Sequence, residues 1–117
     1  MTEPNKPLEQ MTAQERLVLG RSYFKEGKFN ESIAKWSKIT RDDGSELYAW
    51  AQFNIGNIWN NIGNLDEAIA AWSNIHRADD PETYAGAQLN LGLTYYAQNK
   101  LDKAVKAWYA IRRADDP

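Results

Sequence analysis

The chain has 117 residues, 43% of them hydrophobic and 26% charged, which is the composition of one globular domain with a modest core. Its 14 basic side chains face 16 acidic ones, and a net charge of −2 speaks against nucleic acid, whose binders gain affinity from a basic excess. There is no cysteine, hence no disulfide framework and no thiolate metal site, and no apolar run nears the ~20 residues that span a bilayer. The expected partners are proteins or peptides, not nucleic acids or membranes. Met1 to Gln10 is polar, holds Pro4 and Pro7, and lacks the apolar core of a secretory signal, so a cytoplasmic location is expected.

A repeat organises the rest. Trp36, Trp72 and Trp108 are spaced by 36, as are Gly20, Gly56 and Gly92, Ile39, Ile75 and Ile111, and Arg41, Arg77 and Arg113. Residues 45–80 align with 81–116 without a gap and with 17 identities in 36, and 9–44 align with 45–80 with 11, so the units are duplicates. The expected layout is a flexible segment over 1–8 and one repeat domain over 9–117, with units at about 9–44, 45–80 and 81–117.

In the first unit, Thr12 and Glu15 have capping-box spacing and open a helix. Gly27-Lys28 ends it, and Asn30 lies in the first turn of the next. In the second unit, Tyr48, Ala51, Gln52, Ile55, Gly56, Trp59 and Ile62 form one helix face. Gly63-Asn64 breaks the chain, and Leu65, Ala68, Ile69, Trp72 and Ile75 form a second face, with Asp66 in its first turn. The third unit opens at Asp80-Pro81, a capping carboxylate before a proline suited to the first helical position. It breaks at Asn99-Lys100 and places Asp102 in its second helix. Gly and Asn at the breaks tolerate the left-handed backbone that ends a helix. No run alternates with period two, so the fold expected is all-α, six helices stacked in pairs as an α-solenoid.

These residues resemble the tetratricopeptide repeat, whose pattern is Trp-x2-Leu-Gly-x2-Tyr, then Ala-x3-Phe, then Pro. The units read Arg16-x2-Leu19-Gly20-x2-Tyr23 with Ser32-x3-Trp36, Gln52-x2-Ile55-Gly56-x2-Trp59 with Ala68-x3-Trp72, and Gln88-x2-Leu91-Gly92-x2-Tyr95 with Ala104-x3-Trp108 and Pro117. The period of 36 exceeds the family's ~34, the extra residues falling near the turn between units. The family's first Trp is absent, and Trp replaces its second-helix Phe. The resemblance implies a right-handed superhelix whose first helices line a concave, peptide-binding groove. The groove candidates are Leu17, Arg21 and Phe24 in the first unit, Trp50, Phe53, Asn54, Asn57 and Asn60 in the second, and Leu89, Asn90, Leu93 and Tyr96 in the third.

Leu17, Phe53 and Leu89 make an apolar row at matching positions, which either meets a ligand or packs neighbouring units together; apolar stripes are more often core. Asn54 and Asn90 form a polar row able to pair with a peptide backbone. Trp50 has no aromatic counterpart, since Gln14 and Gly86 hold the matching places, and this break in the repeat favours a binding role. Of the clamp with which some chaperone adaptors of the family hold a terminal carboxylate, only Asn54 is matched, so that role is not expected.

No catalytic constellation, metal site or cofactor is implied. His76 is the only histidine and is expected at the surface. The pairs Asp42-Asp43, Asp79-Asp80 and Asp115-Asp116 recur at the turns, where helix capping is the expected role. The protein is therefore read as a non-enzymatic scaffold binding a peptide or protein segment. The ends give an alternative. Thr12, Glu15 and Arg16 make the first edge polar, as a terminal repeat requires. Leu101, Ala104, Val105, Trp108 and Ile111 keep an apolar stripe on the last helix, and an exposed apolar stripe marks a contact. The alternative is a self-assembling module, a homo-oligomer through that edge, or else a piece of a longer array or an engineered repeat protein.

Overall fold

A computed structural model describes residues 6–114, apart from the side chains of Leu8, Arg113 and Ala114. Residues 1–5, Asp115-Asp116 and Pro117 lie outside the described residues. Thr12 and Glu15 form the expected capping box: the Thr12 N–H donates to Glu15 Oε1 at 2.9 Å and the Glu15 N–H to Thr12 Oγ1 at 3.1 Å. They start α1 (Ala13–Lys25). Ahead of it a short 3-10 turn, Leu8–Gln10, crosses the expected boundary at residue 9, and Lys6 pairs with Glu15 at 2.9 Å. Then come α2 (Phe29–Trp36), α3 (Ser45–Asn61), α4 (Leu65–Ser73), α5 (Pro81–Ala97) and α6 (Leu101–Ala114). No strand occurs among the described residues.

The three breaks share one geometry. Gly27, Gly63 and Asn99 have φ of 77°, 88° and 61°. Each is followed by a residue whose N–H reaches five residues back: Lys28 to Tyr23, Asn64 to Trp59 and Lys100 to Tyr95, at 2.8 to 2.9 Å. This is the Schellman ending, which satisfies the last carbonyls of the first helix and turns the chain into the second. Two expected helix faces run too far. Ile62 lies past the end of α3 and is 49% exposed, while Ile75 lies past α4 and is nonetheless buried.

Each hairpin closes around its tryptophan. Trp36 and Trp72 are buried, and their indole N–H groups donate to the carbonyls of Leu17 and Phe53 at 3.2 and 3.1 Å. The rings occupy the space over Gly20 and Gly56. A Cβ added at either glycine would stand 2.5 Å from the tryptophan Cδ1, closer than packed carbons tolerate. The shared period of Gly and Trp is therefore one steric fit repeated. Ser32 donates to the Gly20 carbonyl at 2.7 Å inside the first hairpin, and Ala68 and Ala104 fill the matching places without a polar partner.

Between units, α3 is buried on two sides. Ala51, Ile55 and Ile58 pack with Leu17, Trp36 and Ile39 of the first unit, while Ala49 joins Trp72, Ile75, Ala87 and Leu91 toward the third. Ile58 and Ala49 lie outside the expected stripe and are nevertheless core, because a helix in the middle of a stack has no solvent face wide enough to expose them. The result is a slab of 46 × 34 × 18 Å.

The turns between units bear out the capping role for Asp43 and correct it for Asp79. Asp43 accepts the Thr40 N–H at 2.8 Å in a capping box on a short 3-10 helix, Arg41–Asp43, whereas Asp79 accepts the His76 N–H at 2.8 Å and closes its turn. Asp79 is also buried and receives Arg41 of the preceding unit, whose Nε and Nη2 donate at 2.8 and 2.9 Å; Nη2 donates to the Asn74 carbonyl as well. Arg41 lies over the Tyr48 ring at 4.4 Å. Asp80 occupies the N-cap position of α5 without a capping bond, and Pro81 follows at the first turn as expected. The Asp80 carboxylate accepts the Thr83 hydroxyl instead.

Candidate binding groove

The groove candidates lie on α1, α3 and α5, and five of them, Leu17, Arg21, Trp50, Phe53 and Asn54, come together. Two cavities open there, one on each side of Trp50. The first, of 620 Å³, lies between α1 and the start of α3, with Leu17, Arg21, Asp43, Glu46 and Trp50 among its walls. The second, of 360 Å³, lies between α3 and α5 and is lined by Trp50, Phe53, Asn54, Glu82, Thr83 and Gly86. Trp50 is half-buried, packs edge-on against Trp36 at 5.1 Å and carries the Arg21 guanidinium over its ring at 5.4 Å. It is thus both part of the inter-unit core and a wall of each cavity.

The apolar row has one role in three settings. Leu17 is buried at 8% exposure in the cluster that holds α3, with Trp50 packed against it. Phe53 is half-buried with its ring on Gly86, 3.2 Å from where a Cβ would stand. Leu89, at the same position in the third unit, is 48% exposed. Leu17 and Phe53 are therefore covered by the unit that follows them, and Leu89 has no such cover among the described residues. The Asn row is partly self-satisfied: Asn54 donates to the Trp50 carbonyl at 2.8 Å, and Asn90 donates across units to Asn57 Oδ1 at 3.4 Å. Asn60 is exposed near the end of α3. Phe24 is 41% exposed and rests on Phe29 and Trp36 beside the hairpin turn, outside both cavities.

The edge candidates separate. Ala104 is fully buried inside the third hairpin and is no part of an exposed stripe, because its small side chain sits where Ser32 and Ala68 do. Trp108 and Ile111 are half-buried. Leu101 and Val105 are exposed at 50% and 60%. Four residues join them as exposed apolar groups: Leu93 and Tyr96, expected in the groove, Leu89, and Tyr109, which the repeat disguised because serine holds its place at Ser37 and Ser73.

His76 is exposed, and no group of acidic or histidine side chains among the described residues has the proximity to hold a metal ion. The carboxyls that shift do so for structural reasons. Bonds to the Thr12 backbone and to Lys6 lower Glu15 to about 2. The Arg41 guanidinium holds Asp79 below its ordinary value.

A family model for the tetratricopeptide repeat matches residues 17–82 and 75–117. The chain belongs to the tetratricopeptide repeat family. Such repeats mediate protein–protein interaction. No curated protein matches the chain. Within the family pattern, Gly20, Gly56 and Gly92 hold the small first-helix position, and the two turns between units of this tetratricopeptide array are joined by the Arg41–Asp79 pair. No helix among the described residues is long and apolar enough to cross a membrane.

Proposed function

We propose that this tetratricopeptide protein is a non-enzymatic scaffold that binds a peptide or protein segment across α1, α3 and α5. The observation that carries the reading is Trp50. Most positions that build the stack keep their character every 36 residues; Trp50 does not, and a cavity opens on each of its sides. Large aromatic groups at the centre of an interface supply most of its affinity. Trp50→Ala and Phe53→Ala, each verified to be folded by circular dichroism, are expected to weaken partner capture by about 30-fold, the scale of a hot-spot loss. Undiminished capture by the folded double variant would exclude the groove. The lack of cysteine favours a cytoplasmic location.

A second reading rests on a different face. Leu89, Leu93 and Tyr96 of α5 and Leu101, Val105 and Tyr109 of α6 are all exposed. Apolar exposure on this scale marks a contact surface, and a second copy meeting it about a two-fold axis would close the assembly. Head-to-tail stacking is disfavoured, because Glu15 and Lys6 occupy the opposite edge. Light scattering across a concentration series tests this: a mass rising above 13.4 kDa that Val105→Glu returns to the monomer supports it, and a constant monomer excludes it.

A further inference from the structure

The cavity between α3 and α5 has a chemistry that narrows the partner. Its walls are aromatic, from Trp50 and Phe53, and its floor is opened by Gly86, against which Phe53 lies. Its polar groups lean to one side of the donor–acceptor balance. Glu82 supplies a carboxylate, and among the described residues it has no ion-pair partner. Asn54 spends one of its two amide N–H groups on the Trp50 carbonyl, and its Oδ1 is free to accept. Thr83 donates its hydroxyl to Asp80, so it too offers a lone pair. No cationic side chain lines this cavity.

The net charge of the second unit agrees in sign: residues 45–80 carry Glu46, Asp66, Glu67 and Asp80 against Arg77, with Asp79 paired to Arg41 of the first unit, while the flanking units are close to balance. The face of Trp50 already accepts one guanidinium, that of Arg21, on the side of the neighbouring cavity. Aromatic faces attract cations through the ring quadrupole, and long basic side chains lay an apolar stem along such walls while their head reaches a carboxylate.

We infer that this cavity seats a lysine or arginine side chain of the partner segment, its stem between Trp50 and Phe53 and its charged head at Glu82 and Asn54 Oδ1. The inference rests on the groove reading above and adds the partner's charge. An acidic segment, by contrast, would meet Glu82 with no cation in the cavity to offset it.

Selection from a displayed library of short random peptides against the intact protein tests it, followed by affinities of the selected peptides at two salt concentrations. Enriched sequences are expected to carry lysine or arginine beside an apolar residue. Their affinity is expected to fall about 5-fold in Glu82→Gln, the scale of a partly exposed ion pair, to be kept in Glu82→Asp, and to weaken with salt. Glu82 is exposed in the first turn of α5, so neither variant threatens the fold. Peptides that lack basic residues but are lost in Trp50→Ala overturn the inference and leave the groove standing. Peptides indifferent to both Glu82 and Trp50, or no enrichment at all, overturn the inference together with the groove.

Discussion

Replacing Gly56 by alanine tests the packing argument most directly. In an exposed helix interior the change would stabilise by about 1 kcal/mol, since alanine is the better helix former. Here the new Cβ would stand 2.5 Å from Trp72 Cδ1, and the ring is buried with its N–H committed to the Phe53 carbonyl. The indole has nowhere to retreat except by prising α3 from α4. Overpacking costs about 1–3 kcal/mol, and a lost indole bond that leaves the buried donor unpaired adds about 1–3 kcal/mol. Set against the helix-propensity gain, the net expectation is a loss of about 1–5 kcal/mol, a large share of the ~5–15 kcal/mol that holds a domain. Urea unfolding followed by circular dichroism measures it. Gly92→Ala meets Trp108 in the same way, but Trp108 is only half-buried and can swing outward, so the loss there should be smaller. Wild-type stability in Gly56→Ala, or a larger loss at Gly92 than at Gly56, would refute the steric account of the Gly–Trp period.

Two further predictions concern acid. Asp79→Asn should cost about 1–2 kcal/mol at neutral pH, between the values for exposed and buried pairs because Arg41 is itself partly exposed. Arg41 holds the folded carboxyl below its ordinary 3.8, so its contribution is complete above that pH and fades as acid protonates it; the variant's unfolding curve should therefore be flatter with pH below 4. Glu15 titrates near 2 in the folded chain against 4.5 unfolded, so its contribution is present above pH 4.5 and is lost between there and about 2. NMR titration of the Glu15 carboxyl checks this, and a midpoint near 4.5 would mean the capping box does not hold in solution.

The hairpins were legible because their signals are local. The Schellman breaks at Gly27, Gly63 and Asn99 and the box at Thr12 and Glu15 involve residues within five positions of one another, and all formed as expected. What the sequence hid crosses between units. Asp79 reads as a cap because it stands beside a helix start, yet its partner Arg41 is 38 positions away. A single stripe on α3 omits Ala49 and Ile58 because amphipathic reasoning assumes one buried face, and a helix in the middle of a stack has two. Ala104 reads as an edge residue because it shares a helical stripe with Leu101 and Val105; its size, matched by Ser32 and Ala68, is the signal that it fills the hairpin.

The candidate site was legible only where the repeat fails. Leu17, Phe53 and Leu89 share a position, and their exposure follows from whether another unit lies above them, so their conservation of character reports stacking. Trp50 and Gly86 also share a position, but they differ as much as two residues can. The difference has a physical use: the glycine lets Phe53 lie down, the tryptophan stands beside it, and a cavity remains between them. Tyr109 against Ser37 and Ser73 is a second such departure, and it is exposed on α6. In a duplicated chain, structure constrains what the copies keep in common. Selection for a partner can act freely only where they diverge, so Trp50, Gly86 and Tyr109 are better guides to function than any residue the three units share.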